Sequence, residues 1–127
     1  MSPHEAIERY LAAVEAAVAS LPAYAENYSE EILTPERANL RIRLRFDNGA
    51  LLEINEALVV ANDELTTLGY RYHLQRANNE LVFRYDNTPH FSNLSSFPHH
   101  KHLHDKVVAA SKPDLLEVLQ EARVSVV

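Results

Sequence analysis

The sequence predicts an α+β domain. An N-terminal helix, a four- or five-stranded and mostly antiparallel sheet, a histidine-rich loop and a short C-terminal helix follow one another. Three observations predict this order. Apolar residues recur at helical spacing at both ends of the chain, they alternate with polar residues between positions 28 and 86, and Asn- and Gly-containing turns separate the alternating runs. The 127 residues read as one domain over 1–127, long enough to bury a core without disulfide or metal staples.

The first element is SPHEAIERYLAAVEAAVASL. Ser2 followed by Glu5 has the form of a capping box, and Pro3 occupies the first helical position, where its missing N–H costs nothing. Ile7, Tyr10, Leu11, Val14, Val18 and Leu21 then make one apolar stripe, so a helix is expected up to Leu21-Pro22. Its outer face carries Glu5, Glu8 and Glu15, which read as a solvated surface.

The sheet begins with a weak strand, YSEEIL. NLRIRLRF follows, with Leu40, Ile42, Leu44 and Phe46 on one face and Arg41, Arg43 and Arg45 on the other. Asp47-Asn48-Gly49 turns the chain into LLEINEALVV. Tyr70–Arg76 and Leu81–Asp86 make a second hairpin around Asn78-Asn79. That turn sets Leu74 opposite Phe83, Tyr72 opposite Tyr85, His73 opposite Arg84, Arg71 opposite Asp86 and Gln75 opposite Val82. Tyr70, Tyr72, Leu74, Phe83 and Tyr85 then share a face fit to pack on a helix, while Arg71, His73, Gln75, Arg84 and Asp86 share the other; a one-residue slip would exchange the two sets. After Asp86 the chain is loop-like through FPHHKHLHD. Ser111 and Asp114 suggest a capping box before DLLEVLQEARVSV, whose Leu115, Leu119 and Ala122 point inward.

Composition narrows the chemistry. The absence of cysteine excludes disulfides and thiolate metal sites. With no long apolar run and no basic-then-apolar leader, a cytoplasmic location and no membrane association are expected. The net charge of −6 argues against general nucleic-acid affinity, but it is unevenly spread. Residues 1–39 hold seven Glu against two Arg, whereas 40–106 balance eight acidic with eight basic groups and hold six of the seven histidines. A basic patch on an acidic protein follows from that distribution.

Three polar constellations compete with plain solvated surface. Arg41, Arg43 and Arg45 form either an outer strand face or a track for a phosphate backbone, whose oxygens suit the guanidinium fork. His73 beside Arg84 and Asp86 is either surface or site, with Asp86 also able to pair Arg71. The cluster His99, His100, Lys101, His102 and His104 has three readings. As a metal site it uses His99, His100, His102 and His104, which fits ligation if the segment is helical and the i,i+3 and i,i+4 pairs align. As a solvated loop it does nothing. As an acid–base and phosphate-binding cluster, its imidazoles move protons near neutrality and Lys101 stabilises the charged phosphorane.

The combination of motifs resembles a known family. Tyr70-x-Tyr72-His73, then Phe83-Arg84-Tyr85-Asp86-Asn87-x-Pro89-His90, then Phe97-Pro98-His99-His100-Lys101-His102 before a short helix resembles the TumE-like toxins of bacterial and archaeal toxin–antitoxin systems. The resemblance spans about residues 40–123 in order, and His104 falls outside it. It implies a growth-inhibiting toxin of a type II system, neutralised by a helix-turn-helix (Xre-type) antitoxin.

Joined to the residue chemistry, the expectation is a metal-independent ribonuclease acting on cellular RNA. His73 and His100 are the expected proton-transferring pair, with His99, His102 and His90 as substitutes. Arg84 and Lys101 are expected on the scissile phosphate, and Asp86 as an orienting carboxylate. Arg41, Arg43, Arg71, Asn87 and His90 are expected to bind substrate. No cofactor is expected to be required. A divalent-metal-dependent nuclease or nucleotidyl-transferring enzyme is the alternative, and a non-catalytic RNA- or protein-binding module is the alternative outside enzymes. A homo-oligomer is compatible with the sequence.

Overall fold

The computed structural model describes residues 1–126. The chain runs α1 (Pro3–Ala19), β1 (Ala23–Thr34), β2 (Arg37–Phe46), β3 (Leu51–Ala61), β4 (Glu64–Gln75), β5 (Leu81–Asp86), β6 (His100–His102), β7 (Val107–Ala109) and α2 (Leu115–Ser125). The strands lie in the sheet in chain order, and every neighbouring pair is antiparallel. The α+β class with a helix at each end is as expected, but there are seven strands instead of four or five. The additional ones are β6 and β7, inside the segment expected to be a loop.

The helices start and stop for local reasons. The Ser2 hydroxyl accepts the Glu5 N–H at 3.2 Å and Pro3 fills the first turn. The helix ends at Ala19, two residues earlier than expected, where the Ser20 and Leu21 N–H groups turn back to Ala17 and Val18 carbonyls. At α2 the cap is Asp114, not Ser111: its backbone N–H donates to the Glu117 carboxylate at 3.1 Å. Ile7, Leu11 and Val14 of α1 and Leu115, Val118, Leu119 and Ala122 of α2 are buried against one face of the sheet. The apolar phase of β2, β3, β4 and β5 supplies the other half of that core. Each such side chain contributes about 1.5–3 kcal/mol of burial, which is why register cannot drift.

Three turns hold the meander together. Gly49 has φ +91°, and a Cβ there would also lie 2.9 Å from the Ala77 methyl, so the Asp47-Asn48-Gly49 turn needs glycine on both counts. Asn62 (φ 54°) and Asp63 (φ 61°) close the β3–β4 hairpin through left-handed residues, the geometry of a primed two-residue turn. In the β4–β5 hairpin four of the five expected pairs are present, from Arg71↔Asp86 to Leu74↔Phe83. The ladder then slips, Gln75 pairs with Leu81 instead of Val82, and the turn widens to Arg76–Glu80, closed by Arg76 N–H to Glu80 O at 2.8 Å.

One carboxylate lies on the helix-covered face. Glu56 is in the inward phase of β3, is 4% exposed, and accepts the Tyr10 hydroxyl at 2.6 Å and the Tyr72 hydroxyl. Burial foremost, reinforced by the Glu56 charge, holds both phenols far above their usual range, so they remain donors. Tyr10 thereby ties α1 to the sheet. No helix of the described residues is long and apolar enough to cross a membrane.

Candidate functional site

Strand pairing assembles the polar residues on the face opposite the helices. Directly opposed residues project to the same side of a sheet, so the registers define two cross-strand rows. One row is Arg41, Asn55, Arg71, Asp86 and His100; the next is Arg43, Glu53, His73, Arg84 and His102. Segments nearly sixty residues apart in sequence thus meet because each strand neighbours the next.

The period-two geometry of β6 decides what the histidine-rich segment does. His100 and His102 point to the polar face and Lys101 points to the helix side. Lys101 Nζ there pairs with Glu121 at 2.8 Å and sits 4.7 Å from the Tyr85 ring centroid. Lys101 was expected at the scissile phosphate, and the structure places it away from that face. His99 also lies apart, with Nδ1 2.9 Å from the Tyr70 hydroxyl. His104 is exposed, 3.6 Å from Glu80. The helical spacing invoked for a four-histidine metal site does not arise, because the segment is extended.

At the end of the face Asp86, His100 and His102 form a compact cluster. His100 is 2% exposed; its Nε2 lies 2.9 Å from Asp86 Oδ1. Its Nδ1 faces the Pro98 carbonyl at 3.0 Å, and since a carbonyl only accepts, Nδ1 carries a hydrogen and donates it. The Asp86 carboxylate accepts the Thr88 N–H at 3.0 Å. His102 Nε2 lies 3.5 Å from Asp86 Oδ2, and about a quarter of its side chain is exposed. Phe91, from the loop after β5, packs edgewise on both imidazoles, with centroids 4.8 and 5.7 Å away. Burial chiefly pushes the His102 pKa below the free-imidazole value; Asp86 opposes this, while His100 and Arg84 add to it. His102 is therefore neutral near pH 7.

Beside the cluster, Arg84 Nε donates to His73 Nδ1 at 3.1 Å, which places the His73 proton on Nε2, facing Gln75 Oε1 at 2.9 Å. Burial first, with Arg84 and Arg71 contributing, holds His73 below its usual pKa against the opposing hydrogen bond of Gln75 and the charge of Glu53. Both its nitrogens are engaged, so His73 aims the arginine and is not an available base. His100 is enclosed. Of the pair expected to move protons, His73 has both nitrogens hydrogen-bonded and His100 is buried, whereas His102 is partly exposed.

The arginine row divides. Arg43 and Arg45 both hold Glu26, at 2.9 and 3.1 Å, and Arg43 also reaches Glu53 at 3.4 Å. Arg41 and Arg71 are exposed and make no ion pair among the described residues. They flank Asn55 over a shallow concavity of about 240 Å³ that Asn39 and Gly69 help to line. Asn87, expected to bind substrate, instead braces the fold. It accepts the Tyr70 N–H at 3.2 Å and donates to the Leu68 carbonyl at 3.0 Å, where β4 bulges. His90 is exposed in the covering loop, its ring 6.5 Å from Phe91.

Some participants were not foreseen from sequence. Phe91 is an isolated aromatic in a polar loop, with no periodicity to announce that it folds back. Glu26 sits in a strand bulge that breaks the alternation. Glu56 was detectable, since LLEINEALVV places a carboxylate in phase with Leu52, Ile54 and Leu58.

Searches of the curated proteins and of the solved structures found no match. The family model described as Toxin TumE matches residues 8–125, almost the whole chain and all of the strands that build this face. With its helix-free face carrying the motif residues Arg84, Asp86, His100 and His102, the chain belongs to the TumE toxin family.

Proposed function

We propose that this toxin arrests growth by cleaving cellular RNA at the His102–Arg84–Arg71 end of the polar sheet face, and that a helix-turn-helix antitoxin of a type II system neutralises it. Membership of a toxin family implies an antitoxin partner. The observation that carries the cleavage reading is a neutral, partly exposed imidazole, His102, next to an arginine that is itself aimed by His73. With Nε2 turned to Asp86, the His102 Nδ1 atom has no partner among the described residues and is the natural acceptor for a ribose 2′-hydroxyl proton. The 2′-oxygen then attacks the adjacent phosphorus, a 2′,3′-cyclic phosphate forms, and the departing 5′-oxygen takes its proton from solvent. Arg84 and Arg71 hold the charge of the phosphorane. Arg41 and Asn55 extend the same row for the neighbouring phosphate.

The chemistry as written needs no metal. Purified protein incubated with total RNA in the presence of chelator should cleave it, and His102→Ala should lower the rate by roughly 10²–10⁴-fold with the fold retained. Absence of cleavage by the wild type, or full cleavage by His102→Ala, would refute the reading. A folded His102→Ala, Arg84→Ala protein that still arrests growth would make the face a binding surface only.

A further inference from the structure

We propose that Asp86, His100 and His102 form a binding site for a divalent transition-metal ion of the zinc class. The three donor atoms lie within 4.8 Å of one another. A tetrahedral ion with bonds of about 2.0–2.2 Å spaces neighbouring donors roughly 3.3 Å apart. Asp86 Oδ1 lies 2.9 Å from His100 Nε2 and Asp86 Oδ2 lies 3.5 Å from His102 Nε2, so each imidazole has a carboxylate oxygen near that spacing.

An independent observation points to a cation between them. The Pro98 carbonyl accepts the Nδ1–H of His100, which leaves Nε2 as the ring atom facing Asp86 Oδ1 at 2.9 Å. That nitrogen is fully enclosed and has no hydrogen-bond partner, because the nearby carboxylate oxygen is off the direction a hydrogen bond needs. A buried imidazole nitrogen without a partner is costly, and a metal ion shared with the carboxylate supplies one. The supporting shell is also of the right kind. Histidine ligands commonly donate their second N–H to a backbone carbonyl, as His100 does to Pro98, and the carboxylate ligand is in turn held by the Thr88 N–H. Phe91 closes one side, and partly exposed His102 leaves the other open for entry and for a water ligand.

The inference goes beyond the cleavage reading and does not depend on it. It also has a consequence for it. A metal on His102 Nε2 confines the ring proton to Nδ1, so an occupied site removes the proton acceptor and zinc inhibits metal-free cleavage.

The test is titration of the purified full-length protein, freed of metal by chelator, with Zn²⁺ by calorimetry and with Co²⁺ by visible absorption. One equivalent should bind with a rise in melting temperature. Asp86→Asn and the partly exposed His102→Ala should each weaken binding by roughly tenfold or more, while His104→Ala and His4→Ala should not. Melting curves of the metal-free variants confirm that they fold. Absence of stoichiometric binding, or binding indifferent to Asp86→Asn and His102→Ala, would overturn the proposal. Metal bound without RNA cleavage would refute the cleavage reading alone, and cleavage in chelator without metal binding would refute the metal site alone.

Discussion

Lys101 and His102 are adjacent in a motif where either is a plausible active-site residue, and the sheet separates their roles. The informative perturbation is Lys101→Met beside His102→Ala. Lys101 Nζ lies 2.8 Å from Glu121, with the two side chains 20% and 36% exposed. An ion pair of that exposure contributes about 0–1 kcal/mol. The same ammonium stands 4.7 Å from the Tyr85 centroid and 5.6 Å from Phe83, worth about 0.5–1 kcal/mol more. Methionine keeps the apolar stem packed, so its loss is confined to the charge, about 0.5–2 kcal/mol in all. For a chain of this length that is a fall of roughly 2–8 °C in melting temperature. Cleavage, measured on total RNA at a temperature where both proteins are folded, should stay within about threefold of wild type, since the ammonium is on the wrong side of the sheet. His102→Ala should do the reverse, with melting shifted little and cleavage down by roughly 10²–10⁴-fold. A Lys101→Met protein of unchanged stability and a hundredfold lower rate would refute the reasoning, because it would place the ammonium at the phosphate.

Three further outcomes follow from the geometry. Tyr10→Phe leaves the Glu56 carboxylate with one tyrosine donor in the core, and the loss of a hydrogen bond to a charged group should cost about 1.5–3 kcal/mol by chemical denaturation, with cleavage unchanged. His73 and His102 both have folded-state pKa values below the reference 6.5, so the unfolded chain binds more protons as pH falls through that value. Stability is therefore complete above about 6.5 and declines on the acid side; a denaturation midpoint that rises below pH 6 would contradict this, and His73→Gln with His102→Gln should flatten the profile. Arg41→Ala and Arg71→Ala should each weaken RNA binding and reduce the salt slope of its logarithm by about one, measured by fluorescence anisotropy. Arg45→Ala, whose guanidinium is held by Glu26, should change that slope less.

Strand parity was legible because the hairpin from Arg71 to Asp86 alternates strictly and two of its four pairs contain aromatic side chains; His73, Arg84 and Asp86 fall on one face from the sequence alone. The β3–β4 hairpin was not read, although Asn62-Asp63 carried a turn signal, because residues 61–69 mix small and polar types without clean alternation. Asn87 looked like a ligand because a polar motif residue that binds substrate and one that braces the backbone have the same chemistry in one dimension. Only the bulge at Leu68, a property of two strands together, makes it a brace.

By itself the sequence determined the α+β class, the two amphipathic helices, the core phase of β2 to β5 and the motif shared with TumE toxins. These rest on local periodicity and on side chains whose burial leaves one register. Tertiary structure alone decided which motif residues work together. His100, Lys101 and His102 are too short a run to declare themselves a strand, and they become one only because β5 offers an open edge. That pairing turns Lys101 to the helices and brings His100 and His102 to Asp86, since a sheet sends successive side chains to opposite sides.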